Sequence, residues 1–148
     1  MTGPDLQSPF IGLIDDDGHS ARLFKRMLAA NDGPDVRHYG DDEEGLADLA
    51  IVLNDPNTRR PQLLVVDLKG HSDANLEFIR LHRAWLRQNG VEVLVMAPLA
   101  DQARLKTYHE AGAAAVFYRQ PTVDAYRQEM VGIADFWARS TRLNAVGM

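Results

Sequence analysis

Leu63-Leu64-Val65-Val66-Asp67-Leu68-Lys69-Gly70 is a continuous apolar run that ends in one carboxylate and then reaches a glycine. A short, valine-rich run bounded by turn signals reads as a strand buried on both faces. Asp67 then stands where that strand leaves the core. In open parallel sheets chemistry gathers just beyond the carboxyl ends of the strands, which makes an acid there a site candidate. Aspartate is equally at home in such a place as a helix cap or turn former.

Upstream, residues 10–14 form a short apolar strand that runs into Asp15, Asp16 and Asp17, then Gly18, His19 and Ser20. Leu23, Phe24, Met27 and Leu28 recur at helical spacing until Asn31-Asp32-Gly33-Pro34 stops them. Residues 36–39 give a weak second strand, and Asp41 or Asp42 caps a helix with Leu46, Leu49, Ala50 and Leu53 as its buried stripe. Residues 54–61 are a loop. Downstream of the central run, a helix over residues 74–88 carries Leu76, Ile79 and Leu86 on one flank, with Phe78, Leu81 and Trp85 beside them, and Asn89-Gly90 ends it. Residues 91–96 are a fourth strand broken by Ala97-Pro98; Asp101 opens a helix with Leu105 and Tyr108 facing inward and Gly112 as its cap. Residues 113–118 are the fifth strand, Arg119-Gln120-Pro121 its exit, and Thr122 caps a last helix with Val123, Tyr126, Met130, Ile133 and Trp137 along one stripe. Strands alternating with helices predict an α/β protein: a parallel sheet with helices on both faces, joined by right-handed crossovers.

Composition narrows the possibilities. A chain of 148 residues suits one domain with a real core. The absence of cysteine excludes disulfides, thiolate catalysis and sulfur-ligated metals, and five scattered histidines argue against a zinc site. A net charge of -5 argues against a dedicated nucleic-acid surface. No apolar stretch approaches the roughly 20 residues of a membrane helix. Residues 1–8 lack the blocks of a signal peptide, and their Gly, Pro and Ser content predicts a poorly ordered tail, so a cytoplasmic protein is expected.

The strand ends, superposed, bring Asp15, Asp16, Asp67, Ala97 and Arg119 to one rim. Clustered carboxylates repel, and a hard divalent cation such as Mg²⁺ relieves that repulsion. A carboxylate beside such a metal can accept a phosphoryl group: the metal neutralises the phosphate, an adjacent cation steadies its equatorial oxygens, and the aspartate attacks in line to give an acyl phosphate. Asp15 to Asp17 could instead be a cap cluster for the first helix. One acid satisfies a cap, so three in a row favour the site.

On these residues the chain resembles the response-regulator receiver domains of bacterial two-component systems, over residues 10–133. The motifs are the acidic pair Asp15 and Asp16, Asp67 after Leu63-Leu64-Val65-Val66, and the Glu110-Ala111-Gly112-Ala113 turn before the fifth strand. The resemblance implies a flavodoxin-like (βα)5 three-layer sandwich with strand order 2-1-3-4-5. It also implies that a histidine kinase's phosphohistidine supplies a phosphoryl group to Asp67, with Mg²⁺ held by Asp15, Asp16, Asp67 and the backbone carbonyl of Lys69. One receiver over residues 9–133 is expected, followed over residues 134–148 by an extension of the last helix and a tail. No separate output domain is expected, so any output is expected to be a protein contact.

Departures from the family pattern fall inside the pocket. Ala97 stands where receivers place Thr or Ser to bond the phosphoryl group, a contact worth roughly 1.5–3 kcal/mol for a charged partner. Arg119 replaces a lysine, with Gln120 inserted before Pro121; arginine keeps the charge but is longer and forked. Val116 takes the aromatic switch position, and His71 and Ala74-Asn75 stand where Pro and Asp-Gly usually follow the acceptor. Phosphorylation is expected with an altered route to conformational change; the alternative is a receiver-like scaffold that does not signal by phosphate. Leu13-Ile14-Asp15-Asp16-Asp17-Gly18-His19 also resembles the nucleophile loop of haloacid-dehalogenase-type phosphatases, with Asp15 as nucleophile and Asp17 as acid/base. That reading leaves Asp67 idle, and the chain lacks the later acidic pair.

Phe136 and Trp137 lie about 100° apart on the last helix, so one or both are expected to point away from the core. With Tyr126 they suggest an interface; alternatively, Trp137 covers the bottom of the sheet. The pair is similar to stand-alone regulators of phytochrome-type histidine kinases, many of which dimerise through that end. The implied partners are therefore a sensor histidine kinase and a second copy docked through the last strand and helices, with no nucleic acid and no membrane.

Overall fold

The computed structural model describes residues 9–146, and side chains as far as Thr141. The tail expected at residues 1–8 lies outside that range. The strands are β1 (Phe10–Asp15), β2 (Asp35–Gly40), β3 (Leu63–Asp67), β4 (Glu92–Ala97) and β5 (Ala115–Tyr118). The helices are α1 (Gly18–Ala30), α2 (Asp42–Asn54), α3 (Ala74–Gln88), α4 (Leu105–Ala111) and α5 (Val123–Val146). All neighbouring strands are parallel, in the order β2-β1-β3-β4-β5. Both the (βα)5 alternation and the order 2-1-3-4-5 are as expected. Among the described residues, no helix is long and apolar enough to cross a membrane.

Side chains of a strand alternate between faces, so β3 feeds two cores. Leu64 and Val66 join Leu49, Leu76, Ile79 and Tyr108 in the core under α2, α3 and α4. Leu63 and Val65 join Phe24, Leu28, Met130 and Ile133 in the core under α1 and α5. With both faces covered, β3 has no side for polar residues before Asp67, its last residue, which is itself buried. β1 is equally enclosed. Gly12 is required there because a Cβ would lie 2.8 Å from Cε2 of Tyr39 and 3.1 Å from Leu64.

Caps follow the sequence closely. Asp17 Oδ1 accepts the His19 and Ser20 N–H groups at 3.0 and 3.3 Å, Asp41 accepts those of Glu43 and Glu44, and Thr122 Oγ1 accepts that of Ala125 at 3.2 Å. Gly112 ends α4 with φ +125°, which an L side chain rarely adopts. Asp101 does not open a helix; it lies in a 3-10 turn, Leu99–Arg104, and accepts the Tyr108 hydroxyl. Four expected core residues are exposed: Leu23, Leu81, Leu105 and Val123. Leu81 sits two residues, about 200° of helix, from buried Ile79 and faces solvent. Leu105 and Val123 open their helices before those helices meet the sheet.

β5 is one edge of the sheet. Glu129 on α5 closes it: its Oε1 accepts the Tyr118 N–H at 3.1 Å and Gln120 Nε2 at 3.2 Å.

Candidate functional site

Parallel pairing sets Asp15 directly opposite Asp67, at the carboxyl ends of β1 and β3. Adjacent strands run only about 4.8 Å apart, so the two carboxylates share one small space. Both are buried, Asp15 at 1% and Asp67 at 4% exposure, whereas Asp16 has left the strand and is exposed. Two cations enter that space. Arg119, held past β5 by its N–H on the Ala97 carbonyl, donates Nε to Asp67 Oδ1 at 2.7 Å and an Nη2 proton to the Leu68 carbonyl at 3.1 Å. Lys69 folds its side chain back: Nζ lies 2.7 Å from Asp15 Oδ1, 3.1 Å from Asp67 Oδ1 and 3.1 Å from the Asp67 carbonyl.

Burial pushes the Asp67 carboxyl up from its ordinary value, against the pull of Lys69 and Arg119, and the neighbouring Asp15 charge adds to the rise. Asp67 Oδ1 carries both cations, and among the described residues Oδ2 takes no hydrogen bond. Asp15 Oδ1 also accepts the Asp17 N–H at 2.9 Å, while Asp15 Oδ2 is buried without a partner among the described residues. Both oxygens of Asp16 face the Lys69 backbone N–H, at 3.1 and 3.0 Å.

The expected metal ligands are thus brought together but committed elsewhere. Asp15 and Asp67 each give an oxygen to the Lys69 ammonium, and Asp16 is turned onto a backbone N–H. Among the described residues no group of three or more His, Asp or Glu side chains is arranged to hold a metal ion. As arranged, the donors do not fit the Mg²⁺ that the resemblance implies, which needs oxygens at about 2.1 Å in octahedral geometry. The side chain of Lys69, expected to contribute only a carbonyl, is the pocket's nearest cation to Asp15. Its one sequence signal was a basic residue two places beyond the acceptor.

The other expected residues fall into place around this centre. Ala97 is fully buried at the end of β4, opposite Tyr118, and offers no hydroxyl. Val116 pairs with Val95 and packs on the α3/α4 side. Asp17 is exposed and spent on the α1 cap, so it does not face Asp15 as a phosphatase's acid/base would. Tyr126, Phe136 and Trp137 are half-buried and packed against the α1/α5 core rather than pointing freely outward. The Tyr126 hydroxyl is pushed well above the usual tyrosine range, first by burial and then by the charges of Asp67 and Asp15.

Two supporting residues were not anticipated. Asn75, 3% exposed, accepts the Leu68 N–H at 2.8 Å and donates to the Met96 carbonyl at 3.1 Å, tying the loop beyond Asp67 to β4. His38 donates Nε2–H to the Asp15 carbonyl across 2.8 Å. A buried asparagine in a helix's first turn was the signal for Asn75; His38 gave none.

No family model and no curated protein matches the chain. Solved structures do. The Mn²⁺-bound form of response regulator Rcp1 is 18% identical, with a TM-score of 0.66 over 87% of this chain and 94% of that one. The phosphorylated cyanobacterial phytochrome response regulator RcpA is also 18% identical, with a TM-score of 0.67 over 90% and 96%. A response regulator in red light signalling of R. palustris, RPA3017, is 16% identical, with a TM-score of 0.66 over 87% and 93%. From β2 at one edge to Arg119 beyond the other, the chain has the fold of response-regulator receiver domains.

Proposed function

We propose that the chain is a receiver-type signalling module in which Asp67 accepts a phosphoryl group from the phosphohistidine of a sensor kinase. The observation that carries this reading is the Asp67–Arg119 pair: a buried carboxylate at the strand ends, with a guanidinium 2.7 Å from Oδ1 and Oδ2 left unbonded among the described residues. In the transfer, Asp67 Oδ2 attacks phosphorus as the P–N bond to the donor imidazole breaks. The electron pair stays on that ring, which takes a proton from solvent. Lys69 and Arg119 then flank the acyl phosphate and offset its charge. With the donors committed as described, Mg²⁺ has no step in this scheme.

The likeness to a phosphorylated phytochrome response regulator supports a phytochrome-type donor kinase. The half-buried Tyr126, Phe136 and Trp137 support a second copy docked along β5 and α5. The test is intact mass after incubation with a small acyl phosphate, wild type against Asp67→Asn. One added phosphoryl group, absent from the variant and lost at alkaline pH, is expected. No addition from either the acyl phosphate or a phosphohistidine donor overturns the reading.

A scaffold that binds partners without phosphate is the second reading, favoured by the two cations already engaged with Asp67. It requires Asp67→Asn to bind the partner as wild type does, whatever the phosphorylating conditions.

A further inference from the structure

We infer that the Lys69 ammonium is the resident cation of the acidic pocket and holds the place of a divalent ion between Asp15 and Asp67. The inference rests on reading Asp15, Asp16 and Asp67 as a receiver pocket, and it departs from the metal such pockets hold.

An ammonium has three donors and no acceptor. Three oxygens converge on this one: Asp15 Oδ1 at 2.7 Å, Asp67 Oδ1 at 3.1 Å and the Asp67 carbonyl at 3.1 Å. These are ammonium distances, roughly 0.6–1 Å longer than Mg²⁺ would accept. The side chain is only 27% exposed, so the head is seated in the pocket rather than swinging in solvent.

Asp16 explains how a residue just past the strand can return to it. Its carboxylate clamps the Lys69 backbone N–H with both oxygens, which fixes the turn and aims the side chain back over Asp67. The same contact removes Asp16 from any metal shell. A second, independent observation marks what the lysine leaves undone: Asp15 Oδ2 is buried and has no partner among the described residues. The three donors are taken up by Asp15 Oδ1, Asp67 Oδ1 and the Asp67 carbonyl, which leaves none for Asp15 Oδ2. Oδ2 is therefore an acceptor held ready for a cation that Lys69 keeps out.

Charge decides the competition. Two carboxylates, Asp15 and Asp67, face one ammonium and one guanidinium. A divalent ion added to that set would overcharge the pocket, so it must expel Lys69 first. Breaking a buried, hydrogen-bonded ion pair of this kind weakens the incoming ion's affinity by at least about tenfold.

The experiment compares Mn²⁺ affinity, by calorimetry and by the signal of the free ion, for the full chain and for Lys69→Met, which keeps the stem and removes the charge. Lys69→Met is expected to bind Mn²⁺ at least about tenfold more tightly, and Asp15→Asn on that background to abolish the gain. Lys69→Arg, which keeps a cation, is expected to stay as weak as wild type, separating charge from disturbed folding. Equal affinity in wild type and Lys69→Met overturns the inference. A second readout uses an acyl phosphate as donor with a chelator present. Wild type is expected to be labelled on Asp67 and Lys69→Met to need added Mn²⁺. Metal gain without labelling of any variant, from any donor, sinks the acceptor role of Asp67 and leaves the Lys69 assignment standing. Labelling of wild type only with metal, at unchanged affinity across the variants, sinks the Lys69 assignment alone.

Discussion

Ala97 and Tyr39 show how single atoms set the behaviour of this pocket and its supports. A methyl group at the end of β4 leaves a phosphoryl group on Asp67 with charge beside it but no hydroxyl. Ala97→Thr is expected to lengthen the lifetime of the acyl phosphate, by up to roughly tenfold for a bond worth about 1.5 kcal/mol; a chase of labelled protein measures it, and an unchanged lifetime counts against the geometry. Tyr39 carries a buried hydroxyl with no partner among the described residues, and burial pushes its pKa up to about 12. A raised pKa means that the folded state favours the neutral phenol. Its stabilising contribution is whole below the unfolded value near 10 and is lost as pH rises through the folded one. Thermal melts across that window should fall for wild type and fall less for Tyr39→Phe, which at neutral pH should be as stable as wild type or more so, because no bond is lost. Asp15 and Asp67 were legible as site residues because a charge closing an otherwise apolar strand is costly to bury. The reach of Lys69 was not, since a flexible side chain takes its direction from the Asp16 clamp, a contact across 53 positions of sequence.

Among the elements, β1 leaves little room for change. Its side chains are enclosed by helices on both faces, and Gly12 faces Tyr39 and Leu64 at distances that admit no Cβ. Gly12→Ala should cost about 1–3 kcal/mol in a denaturant melt, the usual range for overpacking. Asp17→Ala should cost about 0.5–2 kcal/mol through the lost α1 cap while leaving Asp67 labelling intact. Loss of labelling in that variant would return Asp17 to the chemistry. Strands and caps could be read from sequence because an apolar run or a lone acid before a helix has a local cause. The exposure of Leu81, Leu105 and Val123 could not: each belongs to an amphipathic stretch whose rotation is set by the sheet it meets. Asp101 was misread for a related reason, as the first turn after Pro98 tightened to 3-10 geometry before the helix began.

For the molecule as a whole, fold class followed from the alternation of short apolar runs with helical stripes, whereas the order of the strands came only with the family resemblance. Nothing in one sequence says which strand lies beside which. Nor could the sequence decide how Phe136 and Trp137 divide between core and surface, and in the structure each does some of both. Their half-exposed sides lie on the helix that also presents Val131, 44% exposed. If two copies meet along α5, Val131→Arg should turn a dimer into a monomer by light scattering; a mass independent of that substitution would place the contact elsewhere. Glu129 bears on the same question from another side. An uncapped outer strand invites another chain to continue the ladder, which is how compact proteins begin to form fibrils. By taking the Tyr118 N–H for itself, one carboxylate makes the sheet end in the molecule that built it, and its loss would show first in concentrated solution, as slow turbidity without a fall in melting temperature.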